Sequence, residues 1–246
     1  MLAATAAPSL SAEIHVFTSG APAAVEKDVA ADFSRATGHQ VTVTVGNLTA
    51  VQEKLSAGEN PDVVIFPTPA IAALEKAGKV IAGSQLELAR VGIGITVREG
   101  APLPDISSVE AIRKLLLNAR SIVHPDPAGG GFTGAHIARM IEKMGIADAV
   151  KPKLTLAFAI NGGVAAVANG DSEIGIFNIS EILPVKGVKL VGPLPAELQN
   201  YINFSGAVYS GSVSREQAQA FLQRLSDASS RPAWTKWGFE PLGAGR

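Results

Sequence analysis

Cysteine is absent from this chain of 246 residues. Its absence excludes disulfides, thiol nucleophiles and cysteine-ligated zinc, and agrees with an oxidising compartment without requiring one. Histidine is nearly as scarce: His15, His39, His124 and His136 are the full set. They show no H-E-x-x-H pattern or other ligand spacing, so no metal site is expected. A nucleophile elbow and a Walker A loop are both missing. Asp126 and Glu173 have no visible carboxylate partner, which removes support for a two-carboxylate hydrolase. Excess charge of either sign is missing too, with 21 basic and 22 acidic side chains giving a formal net charge of −1. Without a global field or a basic run interleaved with aromatics, nucleic-acid binding is not expected. No stretch approaches the ~18 uninterrupted apolar residues of a membrane span, so no membrane insertion is expected.

What is present is ample core material: 47% hydrophobic and 17% charged residues. That composition folds, and the length suits one large domain or two lobes. The segment Met1 to Ala12 carries no charge and reads as a signal-peptide remnant or disordered lead, so export to the periplasm is expected. From Glu13 onward, short apolar runs alternate with amphipathic stretches. Strands are expected at Glu13 to Phe17, Gln40 to Val45 and Asp62 to Phe66. Helices are expected between and after them, at Pro22 to Thr37, Thr49 to Ala57 and Pro69 to Ala77, closing on Gly38, Gly58 and Gly78. A long extended run, Ala89 to Val97, interrupts the rhythm. The alternation then restarts, with helices at Val109 to Asn118, Thr133 to Met144 and near Val164 to Ala168, and strands at Ser121 to His124 and Glu173 to Phe177. A second extended run follows near Asn203 to Ser210, before helices at Arg215 to Leu225 and near Ala233 to Trp237. Two α/β blocks joined by two extended crossings predict two lobes, each a mainly parallel sheet flanked by helices, on a two-strand hinge. The divisions read as 13–90 plus 206–246 for lobe I and 91–205 for lobe II. Ligands of such sheets bind outside the carboxyl ends of the strands.

Four strand-to-helix turns carry the candidate chemistry. They are Thr18-Ser19-Gly20-Ala21, Gly46-Asn47-Leu48-Thr49, Gly129 to Gly134, and Asn161-Gly162-Gly163. Each offers small residues, hydroxyls or amides ahead of a helix N-terminus, where free N–H groups and the positive dipole end favour an anion. None contains Lys or Arg. Ordinary capping explains any one such turn; four turns in two facing blocks point to an anion site. Gly129, Gly131 and Gly134 match G-x-G-x-x-G formally. The motif lies in the second block and lacks the acid about twenty residues on, so no dinucleotide or other cofactor is expected. Arg90, at the start of the first crossing, is placed to meet a bound carboxylate or simply to lie on the surface.

Several segments, in order and spacing, resemble one family. They are Ile14 to Phe17 with its small-residue turn, Phe33 to Gly38, Ser56 to Val63, Leu74 to Gly78 and Trp237 to Leu242. Over Glu13 to the C-terminus the chain resembles the type II periplasmic solute-binding proteins, in the molybdate-binding-protein-like branch. The resemblance implies two lobes closing about a hinge, a monomer, and an anion delivered to an ABC permease. From the turns, the crossing and the resemblance together, ligand contacts are expected from Thr18, Ser19, Gly20, Ala21, Asn47, Leu48, Thr49, Arg90, Gly131, Phe132, Thr133, Gly163 and Asn178. Where molybdate binders place serines and a tyrosine, this chain has Ala21, Asn47 to Thr49, and Asn178. Each hydroxyl lost to a dianion costs about 1.5–3 kcal/mol, so an organic carboxylate is expected rather than molybdate. An enzymatic alternative also follows, because the branch has aconitate-isomerase-like members. In that case His124 or His136 is the candidate base and Arg90 the carboxylate clamp.

Overall fold

The computed structural model describes residues 11–46, 48–129, 132–158 and 162–242. The first half of lobe I runs β1 (Glu13–Thr18), α1 (Ala23–Thr37), β2 (Gln40–Val45), α2 (Leu48–Ser56), β3 (Val63–Pro67) and α3 (Thr68–Lys76). Two strands then make the first crossing, β4 (Leu86–Val91) and β5 (Ile93–Arg98). Lobe II continues with α4 (Val109–Asn118), β6 (Ile122–Pro125), α5 (Phe132–Lys143), α6 (Ala147–Val150), β7 (Leu154–Ala157), α7 (Gly162–Asn169), β8 (Ile174–Asn178), α8 (Ile179–Ile182) and β9 (Val188–Pro193). The chain returns through β10 (Ile202–Val208) and ends with α9 (Arg215–Ser226), α10 (Arg231–Lys236) and β11 (Phe239–Pro241).

These strands form two sheets, ordered β11-β4-β10-β3-β1-β2 and β7-β6-β8-β5-β9. Each sheet has a parallel trio, β2-β1-β3 and β7-β6-β8. Its remaining strands are antiparallel and come from the crossings and the C-terminus. Both sheets are therefore mixed, more so than strand–helix alternation alone suggests. β10 pairs with β4 from Ile202 and with β3 from Phe204, so the returning crossing enters the first sheet four residues before Gly206.

Each of the six parallel strands is followed by a helix, and buried residues stack on both faces. In lobe I, Ile14, Val16 and Ile65 pack under Val25, Val29, Phe33 and Phe221, while Phe17, Val64 and Phe66 pack under Ile71 and Leu74. Lobe II has its own core, centred on Ile93, Ile95, Ile112, Ile137 and Ile176. Separate cores are what allow two lobes to move as bodies. The C-terminus is tied to lobe I by aromatic edges: Trp234 lies 5.1 Å from Phe239, and Phe239 lies 5.8 Å from Phe204.

Strand register fixes which edges face each other. β4 runs in the direction of β3, since both are antiparallel to β10. The chain thus leaves the first sheet at its carboxyl edge, at Val91. β5 begins opposite Asn178, the carboxyl end of β8. The return is equivalent: β9 ends at Pro193 opposite Gly94, and β10 starts at Ile202 opposite Val91. Both crossings connect carboxyl edge to carboxyl edge, so the helix starts of the two lobes confront one another.

Candidate functional site: the facing strand ends

On the lobe I side, β1 ends at Thr18, which is fully buried. Its Oγ1 lies 2.7 Å from Glu26 Oε1 and 3.1 Å from the Ile65 carbonyl. Ser19 N–H donates to the same Ile65 carbonyl at 3.4 Å, while the buried Ser19 Oγ has no partner. Gly20 accepts from Ala23 N–H at the entry to α1. Ala21 packs its methyl into the lobe I core, leaving only its backbone for a ligand. Pro22 provides no side-chain cap for α1. Asn47 lies outside the described residues, and Leu48 and Thr49 are placed only as the opening residues of α2.

On the lobe II side, Asp126 follows β6 and folds back to accept from Ala128 N–H at 2.7 Å. Gly131 and Asn161 lie outside the described residues. Phe132 opens α5 with its ring half-exposed. Thr133 is buried and donates to Asn178 Oδ1 at 2.9 Å. That bond joins the first turn of α5 to the end of β8. Two glycines allow the helices to come this close. A Cβ on Gly134 would run into the Pro125 carbonyl, and one on Gly163 would come within 2.5 Å of the Phe177 ring.

Asn178 is buried and caps α8, with Glu181 three residues later. Hydrogen bonding from Asn178 favours the charged form of the Glu181 carboxylate. Glu181 keeps some solvent contact as a residue, yet burial of its carboxyl outweighs these bonds and pushes its pKa up to about 7. The neighbouring Ser180 Oγ is buried without a partner.

The remaining expected residues are occupied elsewhere. Arg90 places Nε and Nη2 at 2.8 and 2.6 Å from Glu240 Oε2, and its guanidinium stacks 4.3 Å from the Tyr201 ring centroid. It fastens β11 to β4, with its charge already matched. His124 is buried; Nδ1 lies 2.8 Å from the Pro125 carbonyl, and burial lowers its pKa, keeping the ring neutral at pH 7. His136 Nε2 lies 2.8 Å from the Leu198 carbonyl, which ties α5 to the returning crossing.

Two residues of this region escape a motif-based reading of the sequence, although each left a trace. Glu26 interrupts the apolar stripe of α1 formed with Val29, Ala30 and Phe33, an acid where the helical period requires a core residue. Asn178-Ile-Ser-Glu181 is a capping-box signature at a strand end. Among the described residues there is no group of acids and histidines able to hold a metal, and no helix is long and apolar enough to cross a membrane.

Two α/β lobes, double crossings and opposed helix starts define a solute-binding clamshell. The chain belongs to the bacterial extracellular solute-binding protein family, whose model matches residues 14–240. An aconitate isomerase from a Pseudomonas species is 30% identical over 235 residues, covering 93% of this chain and 88% of that protein. The periplasmic molybdate-binding protein of Azotobacter vinelandii superposes with a TM-score of 0.75 at 17% identity, over 92% of this chain and 98% of that one. The Campylobacter jejuni protein PEB3, solved with L-phospholactate bound, gives a TM-score of 0.72 at 19% identity, over 92% of this chain and 99% of that one.

Proposed function

We propose that this protein captures a small organic carboxylate between its lobes, in the periplasm, and presents it to an ABC permease. The observation that carries this reading is the pairing of opposed helix starts with neutral donors. Ser19 Oγ is unpartnered in lobe I, and the Thr133–Asn178 pair lines the facing edge in lobe II. The nearest expected cation, Arg90, is already neutralised by Glu240. Dipoles and hydrogen bonds, rather than ion pairs, therefore select the ligand. The proposed contacts are the Thr18 to Ala21 turn, the Asn47 to Thr49 turn, Gly131 to Thr133, Gly163 and Asn178. Organic acids are favoured over molybdate by Asn178 and by the relatives named for aconitate and bound to phospholactate.

A thermal-shift panel of aconitate, other di- and tricarboxylates, sulfate, molybdate and tungstate tests this. A ligand at a hundred times its dissociation constant stabilises by about 2.7 kcal/mol. Stabilisation by the carboxylates alone is expected; a response to the metal oxyanions alone rejects the reading.

The similarity to an aconitate isomerase favours a second reading, proton transfer within a bound tricarboxylate. Incubation with aconitate in D2O separates the two. Isomer interconversion with deuterium uptake identifies an isomerase, and unchanged aconitate identifies a receptor.

A further inference from the structure

The carboxyl of Glu26 is fully buried directly beneath the first cleft turn. Side chains on a helix lean toward its N-terminus, so from the first turn of α1 this one points back at the strand ends. Its contact with Thr18, the last residue of β1, confirms the direction. Oε1 is engaged by Thr18, whereas Oε2 has no partner, and neither has Ser19 Oγ one residue along the same turn. Two orphaned buried polar atoms at one helix start mark a half-site that is completed by something other than this chain.

We propose that Glu26 is a proton-linked specificity residue of this half-site, which accepts its anion only while the Glu26 carboxyl carries a proton. This rests on the anion-capture reading above. The protonated acid donates to Thr18 Oγ1, whose own hydroxyl hydrogen donates to the Ile65 carbonyl, an arrangement that the 2.7 and 3.1 Å separations permit. The turn above then presents only neutral donors. Ionised Glu26 would instead set a negative charge in the floor of a site built for another.

Electrostatics of the surroundings agree. Burial is the dominant influence and pushes the Glu26 pKa up to about 8, overcoming the Thr18 hydrogen bond and the charge of Lys27. No ionisable side chain lies on β2 or β3, which run QVTVTV and VVIFP. Glu13 and His15 stand on the opposite half of β1. Of the helices packed on α1, α9 carries Arg215, Glu216 and Arg224, and α10 carries Arg231 and Lys236. Lys236 is held by Asp28. Acidic side chains in a first helical turn are ordinarily stabilised as anions by the dipole; here desolvation wins.

The test is calorimetric titration of native protein and Glu26→Gln with aconitate, and separately with molybdate, between about pH 6 and pH 9.5. Neither probe titrates near the Glu26 value of about 8, so protons exchanged there belong to the protein. Above that pH, native affinity should fall by up to about tenfold per unit, with uptake approaching one proton per bound anion. The uptake is read from the dependence of the heat on buffer ionisation enthalpy. Glu26→Gln should bind with a flat profile and no uptake. Native binding without proton uptake overturns the assignment even if the variant fails to bind, and so do parallel profiles for the two proteins. No response to either probe at any pH overturns the anion reading itself, and this proposal with it.

Discussion

Asn178 joins three groups that would otherwise be unrelated. Its Oδ1 accepts from the Thr133 hydroxyl at 2.9 Å, its hydrogen bonding favours the charged Glu181 carboxylate, and its backbone closes β8 against Ile93. A side chain so held is pre-organised, and a ligand meeting it loses little conformational entropy. Asn178→Leu removes the amide and strands both partners. It should weaken carboxylate binding by at least about tenfold, and lower stability by about 1–3 kcal/mol through the unmet buried groups. Thr133→Ser, which keeps the hydroxyl, is the control and should retain most of the affinity. Calorimetry for binding and urea unfolding for stability separate the two effects. Full affinity in Asn178→Leu would remove this residue from the site.

At the scale of elements, the site depends on close docking of helix starts onto strand ends. α5 reaches the end of β6 only because residue 134 is glycine: a Cβ there would lie 2.9 Å from Asp126 main-chain atoms as well as against the Pro125 carbonyl. Backbone cannot yield as a side-chain tip can. Gly134→Ala is expected to cost about 1–3 kcal/mol in urea unfolding, and to cut ligand affinity by displacing the adjacent Thr133. Loss of stability with unchanged affinity would show that Thr133 does not touch the ligand. The same packing explains what the sequence makes legible. β1, β3, β6 and β8 announce themselves as apolar or alternating runs because helices or neighbouring strands cover them, and β2, itself a sheet edge, does so by its β-branched alternation alone. β7, β9 and β11 do not, and each is a sheet edge. β7 leaves Leu156 40% exposed, β9 is interrupted by Gly192, and β11 has three residues, so none carries a strong hydrophobic signal. The run from Ala89 to Val97 reads as one strand, yet Gly92 divides it between two sheets. Local sequence holds no record of which sheet each half joins. Among site residues, the glycine- and hydroxyl-bearing turns were legible as helix entries. Glu26 was not, because its significance comes from burial beneath a turn eight residues earlier.

For the whole molecule, the decisive feature is that both connections pass between facing edges, and they are clasped to each other. Gln199, in the returning crossing, accepts from Ile93 N–H at 2.7 Å and donates to the Ile93 carbonyl at 3.0 Å. Its amide occupies the space beside Gly92, where a Cβ would lie only 3.1 Å from it. One side chain thus serves as a strand partner where both crossings pass between the two sheets. On the other flank, Ile179 of α8 packs against the lobe I core and faces Gly238, so the lobes also touch beside the crossings. We expect rotation of one lobe on the other to bend the first crossing at Gly92 while this clasp holds. Gln199→Ala leaves the Ile93 N–H and carbonyl without their side-chain partner and should cost about 1–3 kcal/mol of stability. With the clasp gone, the ligand-free lobes should spread over a wider range of angles, seen as a larger radius of gyration in small-angle scattering. A smaller binding-competent fraction raises the apparent dissociation constant in proportion, although every ligand contact is intact. If Gln199→Ala loses stability but keeps both its native dimensions and its affinity, the clasp serves the fold alone and the hinge lies elsewhere.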